Sequence, residues 1–165
     1  RDPEMSRGLG DVYKRQLWDN YPDSLQIPLQ GKASRAYLLM AGSTNHMQCH
    51  IDNGVIRVYY EDGTCDTLSL VNPDNWPPIE QIFFEDGKSF NRHAPSLYRL
   101  RLKTGELSNN FGEELGFTGV SREVDGGAAV LLEMSLNAGK KLSHLVLETL
   151  SNEVVIGIMG ITLQR

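Results

Sequence analysis

The stretch VIRVYYEDGTCDTLSLVNPDNW, Val55 to Trp76, decides the fold. Ile56, Val58 and Tyr60 alternate with Arg57 and Tyr59, the period-two pattern of a strand with one face buried. Glu61-Asp62-Gly63 supplies turn chemistry, and Thr67-Leu68-Ser69-Leu70 resumes the alternation. A two-residue Asp62-Gly63 loop would pair Arg57 with Leu68 and put a charge on the apolar face. A three-residue loop, Glu61 to Gly63, instead pairs Ile56 with Leu68 and sets Val58 and Leu70 on the same face. It also puts Gly63 where a positive φ is required, in a type I turn with a G1 bulge. The three-residue register is therefore the one expected.

Working outward from this hairpin, most segments carry the same period. Leu25 to Leu29 alternates, with Pro28 marking an edge strand, and Ala36 to Ala41 is a compact apolar run expected to be buried on both sides. A short strand is expected around Gln48 to Ile51 and another over Ile79 to Phe84. In Ser96 to Lys103, Leu100 and Leu102 oppose Arg99, Arg101 and Lys103. Leu107 to Gly127 lacks a pattern and reads as a long surface loop. Val130, Leu132 and Met134 form one buried face, Leu145 and Leu147 another. Val154 to Leu163 is nearly all apolar, which predicts a central strand with both faces covered. Short strands separated by Gly, Asp and Asn turns indicate an all-β fold, a β-sandwich of jelly-roll or galactose-binding-like type.

Composition narrows the class. The 165 residues suffice for one domain with a sizeable core, and a net charge of −5 argues against a nucleic-acid or anionic-membrane surface. No apolar run reaches the length of a membrane span. Cys49 and Cys65 show no disulfide framework and read as thiols, one disulfide being the alternative. Residues 1–16, RDPEMSRGLGDVYKRQ, resemble a translated DNA adapter from transposase-based sequencing libraries and are set aside as an artefact. A genuine charged arm is the alternative. Residues 17–24 then read as a linker remnant and 25–165 as the sandwich domain.

The candidate chemistry is sparse. His46-Met47-Gln48-Cys49-His50 invites zinc, but no second ligand pair follows nearby, and no metal site is expected. His93 and His144 read as surface or rim residues. Calcium at Asp52 or Asp74 lacks ligand spacing. Ser143-His144 is a strand dipeptide whose side chains should diverge, and no G-x-S-x-G elbow is present. Glu80, Glu85, Asp86, Glu113 and Glu114 are available as carboxylates, without a pair that sequence can assign. Catalysis within this chain is not expected. The loop Asn72 to Gln81 is the one candidate contact. Trp76 could stack on a sugar ring while Asn72, Asp74 and Asn75 bind hydroxyls. The favoured reading is turn chemistry, with Trp76 covering the end of the sandwich or docking on a neighbouring domain.

Three runs, Gly31 to Gln48, Val58 to Gln81 and Gly126 to Leu163, are similar to the C-terminal β-sandwich module of an uncharacterised Bacteroidetes family of glycoside-hydrolase-like, six-hairpin toroid proteins. The Ile82-Phe83-Phe84 segment departs from a more polar family pattern. The resemblance implies a non-catalytic accessory sandwich that packs on an upstream catalytic domain of the same polypeptide, in a periplasmic or secreted setting. An autonomous carbohydrate-binding module built on Trp76 is the alternative. The family brings no catalytic residues to this part and no cofactor.

Overall fold

The computed structural model describes residues 21–80, 92–114 and 123–165, with backbone alone for residues 112 and 113. Among these residues nine strands and one helical turn follow in order: β1 Ser24–Pro28, β2 Arg35–Ser43, β3 Asp52–Tyr60, β4 Cys65–Val71, β5 Tyr98–Arg101, β6 Leu107–Ser108, α1 Phe111–Glu114, β7 Ala128–Ser135, β8 Leu142–Thr149 and β9 Val155–Gln164. They form a four-stranded sheet, β1-β8-β3-β4, and a five-stranded sheet, β6-β5-β7-β2-β9. Every strand pair is antiparallel. The fold is an all-β sandwich, as the alternation predicts. Residues 1–16 and most of the linker segment lie outside the described residues.

The β3–β4 hairpin has the expected register. Ile56 pairs with Leu68, the Tyr60 amide donates to the Thr64 carbonyl at 2.9 Å, and the Gly63 amide donates to the Tyr60 carbonyl at 3.0 Å. Gly63 sits at φ 83°, a conformation that a side chain would strain. Asp62 completes the turn by accepting from the Thr64 amide at 2.9 Å and pairing with Lys140 at 2.9 Å. Those contacts, Lys140 foremost and then Thr64, hold the Asp62 carboxyl down at about 2.

One core fills the space between the sheets. Ile56, Val58 and Tyr60 of β3, Leu70 of β4, and Leu145 and Leu147 of β8 meet Ala36, Leu38 and Met40 of β2 and Val130, Leu132 and Met134 of β7. Tyr60 is buried with its hydroxyl donating to Asp66 and accepting from the Asn137 amide at 2.7 Å, so its polar end is satisfied inside. Burial, reinforced by the Asp66 hydrogen bond, raises the Tyr60 pKa.

Several strands depart from expectation. Among the described residues β9 is an edge strand, not a central one, and its side chains are mostly half-buried. Its register against β2 shifts at Met159: Leu39 pairs with Gly160 and Met40 with Ile158. This bulge lets Ile156, Ile158, Ile161 and Leu163 all pack on the core from an edge position, so an apolar sequence does not require two covered faces. β2 does lie inside its sheet, but only Ala36, Leu38 and Met40 are buried, whereas Tyr37, Leu39 and Ala41 are half-buried. β5 is turned opposite to its polarity. Arg99 faces inward beside Val130, and Tyr98 and Leu100 face outward with Leu131 and Ala129. Arg99 is tolerated there because its Nη2 donates to the carbonyls of Ala128 (2.9 Å) and Pro78 (3.0 Å). Burial lowers its pKa to about 10, which leaves it charged at neutral pH.

The segment expected as a long loop instead holds β6 and α1 where described, with Phe111, Val124 and Ala128 forming a small second core. Gln48 to Ile51 is reduced to one isolated bridge, Cys49 to Asn72, and Ile79 and Glu80 lie in a turn. The rest of the strand expected there lies outside the described residues. Both cysteines are free thiols, and partial burial raises that of Cys49.

Candidate functional site

Two loops that follow β2 and β4 are joined at one rim of the sandwich. Asn53, fully buried at a register shift in β3, organises the first. Its Nδ2 donates to the carbonyls of Gln48 and Ile51 at 3.0 Å each, and its Oδ1 accepts from the Thr44 hydroxyl. The Asn53 carbonyl accepts from the Leu150 amide at 3.0 Å, so one residue ties the 44–51 loop to the end of β8. Sequence reading did not single out Asn53, since a strand-end Asn looks like turn chemistry until its burial is seen.

The second loop carries the residues predicted from sequence, and the structure separates them. Trp76 is 0% exposed and belongs to the central core. It closes over Gly42 of β2, where an added Cβ would lie 2.7 Å from the Trp76 ring and 2.0 Å from the Val155 carbonyl oxygen. Glycine at 42 is thus demanded by close approach of both ring and strand. In this position Trp76 presents no face to a sugar or to a neighbouring domain; it seals the sandwich's own interior.

Asn72 is also fully buried. Its carbonyl accepts from the His50 amide at 2.8 Å, and its Nδ2 lies 3.6 Å from Cys49 Sγ. Asn75 is half-buried and serves the backbone. It accepts from the Val71 amide at 2.7 Å and donates to the Ser69 carbonyl at 2.8 Å. Neither amide side chain is directed at a ligand by these bonds. Asp74 differs. Its Oδ1 accepts from the His93 backbone amide at 2.7 Å, which draws a third segment to the rim.

That segment completes a cluster. His50, at φ 55°, stacks on His93 with ring centroids 4.4 Å apart and planes 18° from parallel. One ligand-bearing atom from each of His50, Asp74 and His93 lies within 4.8 Å of the others. Asp74 therefore sits beside imidazoles, not within the oxygen set that calcium takes, and Asp52 belongs to no such group among the described residues. Sequence spacing could not bring His50 and His93 together, because the β3–β4 hairpin and the following segment lie between them.

Ser143 and His144 do not diverge as expected: Oγ and Nδ1 lie 2.9 Å apart. A register shift between β3 and β8 pairs Tyr59 with His144 and Tyr60 with Leu142, leaving Ser143 as the extra residue and breaking strict alternation. The His144 ring stacks on Tyr59, with centroids 4.8 Å apart.

The outward side of the five-stranded sheet is divided: the rows Arg35-Ser135-Gln164 and Tyr37-Glu133-Thr162 are polar, with an Arg35–Glu133 ion pair, and the rows beyond them are apolar. Cross-strand rows set Tyr98, Leu131 and Leu39 side by side, and Leu100 between Leu107 and the fully buried Ala129. Tyr98 is 51% and Leu107 52% exposed, while Leu39, Leu100 and Leu131 are half-buried.

No helix among the described residues is long and apolar enough to cross a membrane. No protein-family model, curated protein or solved structure matches the chain.

Proposed function

We propose that the chain is a non-catalytic accessory β-sandwich of a bacterial carbohydrate-active protein, packing on a catalytic domain of the same polypeptide. The observation that carries this reading is the apolar half of the outer face of the five-stranded sheet, built on Tyr98, Leu131, Leu39, Leu100 and Leu107. A sheet face that meets water normally alternates to polar residues, whereas one that meets another layer does not. The carbohydrate-active setting, and a periplasmic or secreted location with it, is supported by the resemblance of the three runs from Gly31 to Leu163. The order β1-β8-β3 facing β7-β2 supports the jelly-roll reading. The non-catalytic part follows from the same resemblance, which brings no catalytic residues to this part of the chain.

Burial of Trp76 leaves the alternative of an autonomous sugar-binding module without its platform. The test joins the sandwich to the domain encoded upstream and compares wild type with a Tyr98→Glu/Leu131→Lys double variant by calorimetry. Coupled unfolding in the wild type that separates into two transitions in the variant is the expected outcome. Two independent transitions in the wild type would sink the docking reading. An upstream domain without glycoside-hydrolase activity would sink the carbohydrate reading.

A further inference from the structure

We propose that His50, Asp74 and His93 form a binding site for one divalent late first-row transition ion, zinc foremost. This inference is independent of the domain-packing reading. The donor set decides the class of ion. Two imidazole nitrogens and one carboxylate oxygen suit zinc and its neighbours in the row, whereas calcium and magnesium take oxygen ligands almost throughout. Three protein ligands leave further coordination positions to water, the composition of an open zinc site.

The framework around the three side chains is built independently of any ion. The His50 amide donates to the Asn72 carbonyl at 2.8 Å, and Cys49 bridges to Asn72, so the His50 loop is fastened to the loop that carries Asp74. Asp74 in turn accepts the His93 amide at 2.7 Å, which fixes the third ligand's backbone to the second ligand's side chain. Three segments distant in sequence are thereby held with their ligand atoms no more than 4.8 Å apart. In a tetrahedral zinc site with bonds of about 2.0–2.2 Å, ligand atoms stand roughly 3.4 Å from one another. Closing the remaining distance requires turning the stacked rings, and His93, which is exposed, has room to turn. Its exposure also gives the ion a path from solvent.

An ion at this place would clip the 92–93 segment to the two loops after β2 and β4. Binding to the folded chain alone would raise its stability. The experiment uses the full chain, stripped with a chelator and titrated calorimetrically with zinc chloride, then with nickel, calcium and magnesium chlorides. We expect saturable binding of one zinc per chain, weaker nickel binding, no response to calcium or magnesium, and a rise in melting temperature with zinc. His93→Ala, at an exposed position, should keep the apo melting temperature while weakening zinc at least about 100-fold, beyond the 10–100-fold typical of losing a supporting group. Asp74→Asn should weaken binding in the same direction. His144→Ala, stacked on Tyr59 on the outward side of the four-stranded sheet, should leave binding unchanged. Absence of one-to-one zinc binding in the wild type overturns the proposal. So does binding that survives His93→Ala, or that is lost with His144→Ala.

Discussion

The two sheets share one core and differ on the sides they turn away from it. The outward side of the four-stranded sheet is polar. Cross-strand neighbours there include Thr67 beside Arg57, Val55 between Ser69 and Glu148, and Tyr59 between Cys65 and His144. Arg57 donates to Glu148 at 2.8 Å across that face. The outward side of the five-stranded sheet carries Tyr98, Leu131 and Leu39 in one row and Leu107 and Leu100 in the next. Leaving such apolar surface in water forgoes on the order of 25 cal/mol per Å² that a covering layer would recover. The first face is thus polar across its middle, whereas the second gathers its apolar residues in one half and its Arg35–Glu133 pair in the other. Inner-face alternation alone could not have distinguished them, because both sheets turn apolar residues to the same core.

The comparison assumes that the core is complete without help from outside, and Trp76 is its sharpest test. Trp76→Ala should destabilise the chain by about 3–5 kcal/mol, read from urea unfolding, because it empties a fully buried ring volume between Gly42 and the core. A loss under about 1 kcal/mol would mean that the ring does not seal the sandwich. Loss of sugar binding in that variant would therefore report unfolding and not a lost platform.

Substitution on the apolar half of the outer face should behave oppositely. In the chain by itself, Leu131→Lys should change stability by no more than about 1 kcal/mol and should raise solubility. A loss comparable to that of Trp76→Ala would show that this face is already core, and the contrast between the sheets would fall.

The smallest expected effect lies at the β3–β4 turn. The Asp62 carboxyl is held at about 2 in the fold, against an ordinary value of 3.8, by Lys140 and then Thr64. A carboxyl depressed by folding contributes stability above its unfolded value and loses that contribution as pH falls through the folded one. The hairpin turn should therefore loosen between pH 3.8 and about 2, and not on the alkaline side. An NMR titration of the Asp62 carboxyl should give a midpoint near 2 that rises toward 3.8 in Lys140→Gln. An unchanged midpoint in the variant would remove Lys140 as the cause.

How much of this was legible depended on whether a residue's role was local. The β3–β4 register could be read because turn chemistry at Asp62-Gly63 and alternation on both sides point to one pairing. β9 was misread because an apolar run was equated with two-sided burial, whereas the Met159 bulge turns its isoleucines inward from an edge. β5 was legible as a strand but not in orientation. Arg99 gains its place from carbonyls at Pro78 and Ala128, partners that no periodicity announces. The rim was the least legible part. Asn72 and Trp76 look like ligand chemistry in sequence and are interior in the fold, while His50 and His93 look incidental and become neighbours.

The bulge at Met159 has a consequence for assembly as well as packing. Among the described residues β9 ends its sheet, the position at which a strand offers a row of backbone donors and acceptors to an extended chain alongside. The extra residue interrupts the two-residue repeat of that row between Leu39 and Met40. A second regular strand could then stay in register with one half of β9 only. The irregularity that lets an edge strand feed the core thus also guards the molecule against growing into a ribbon of its own copies.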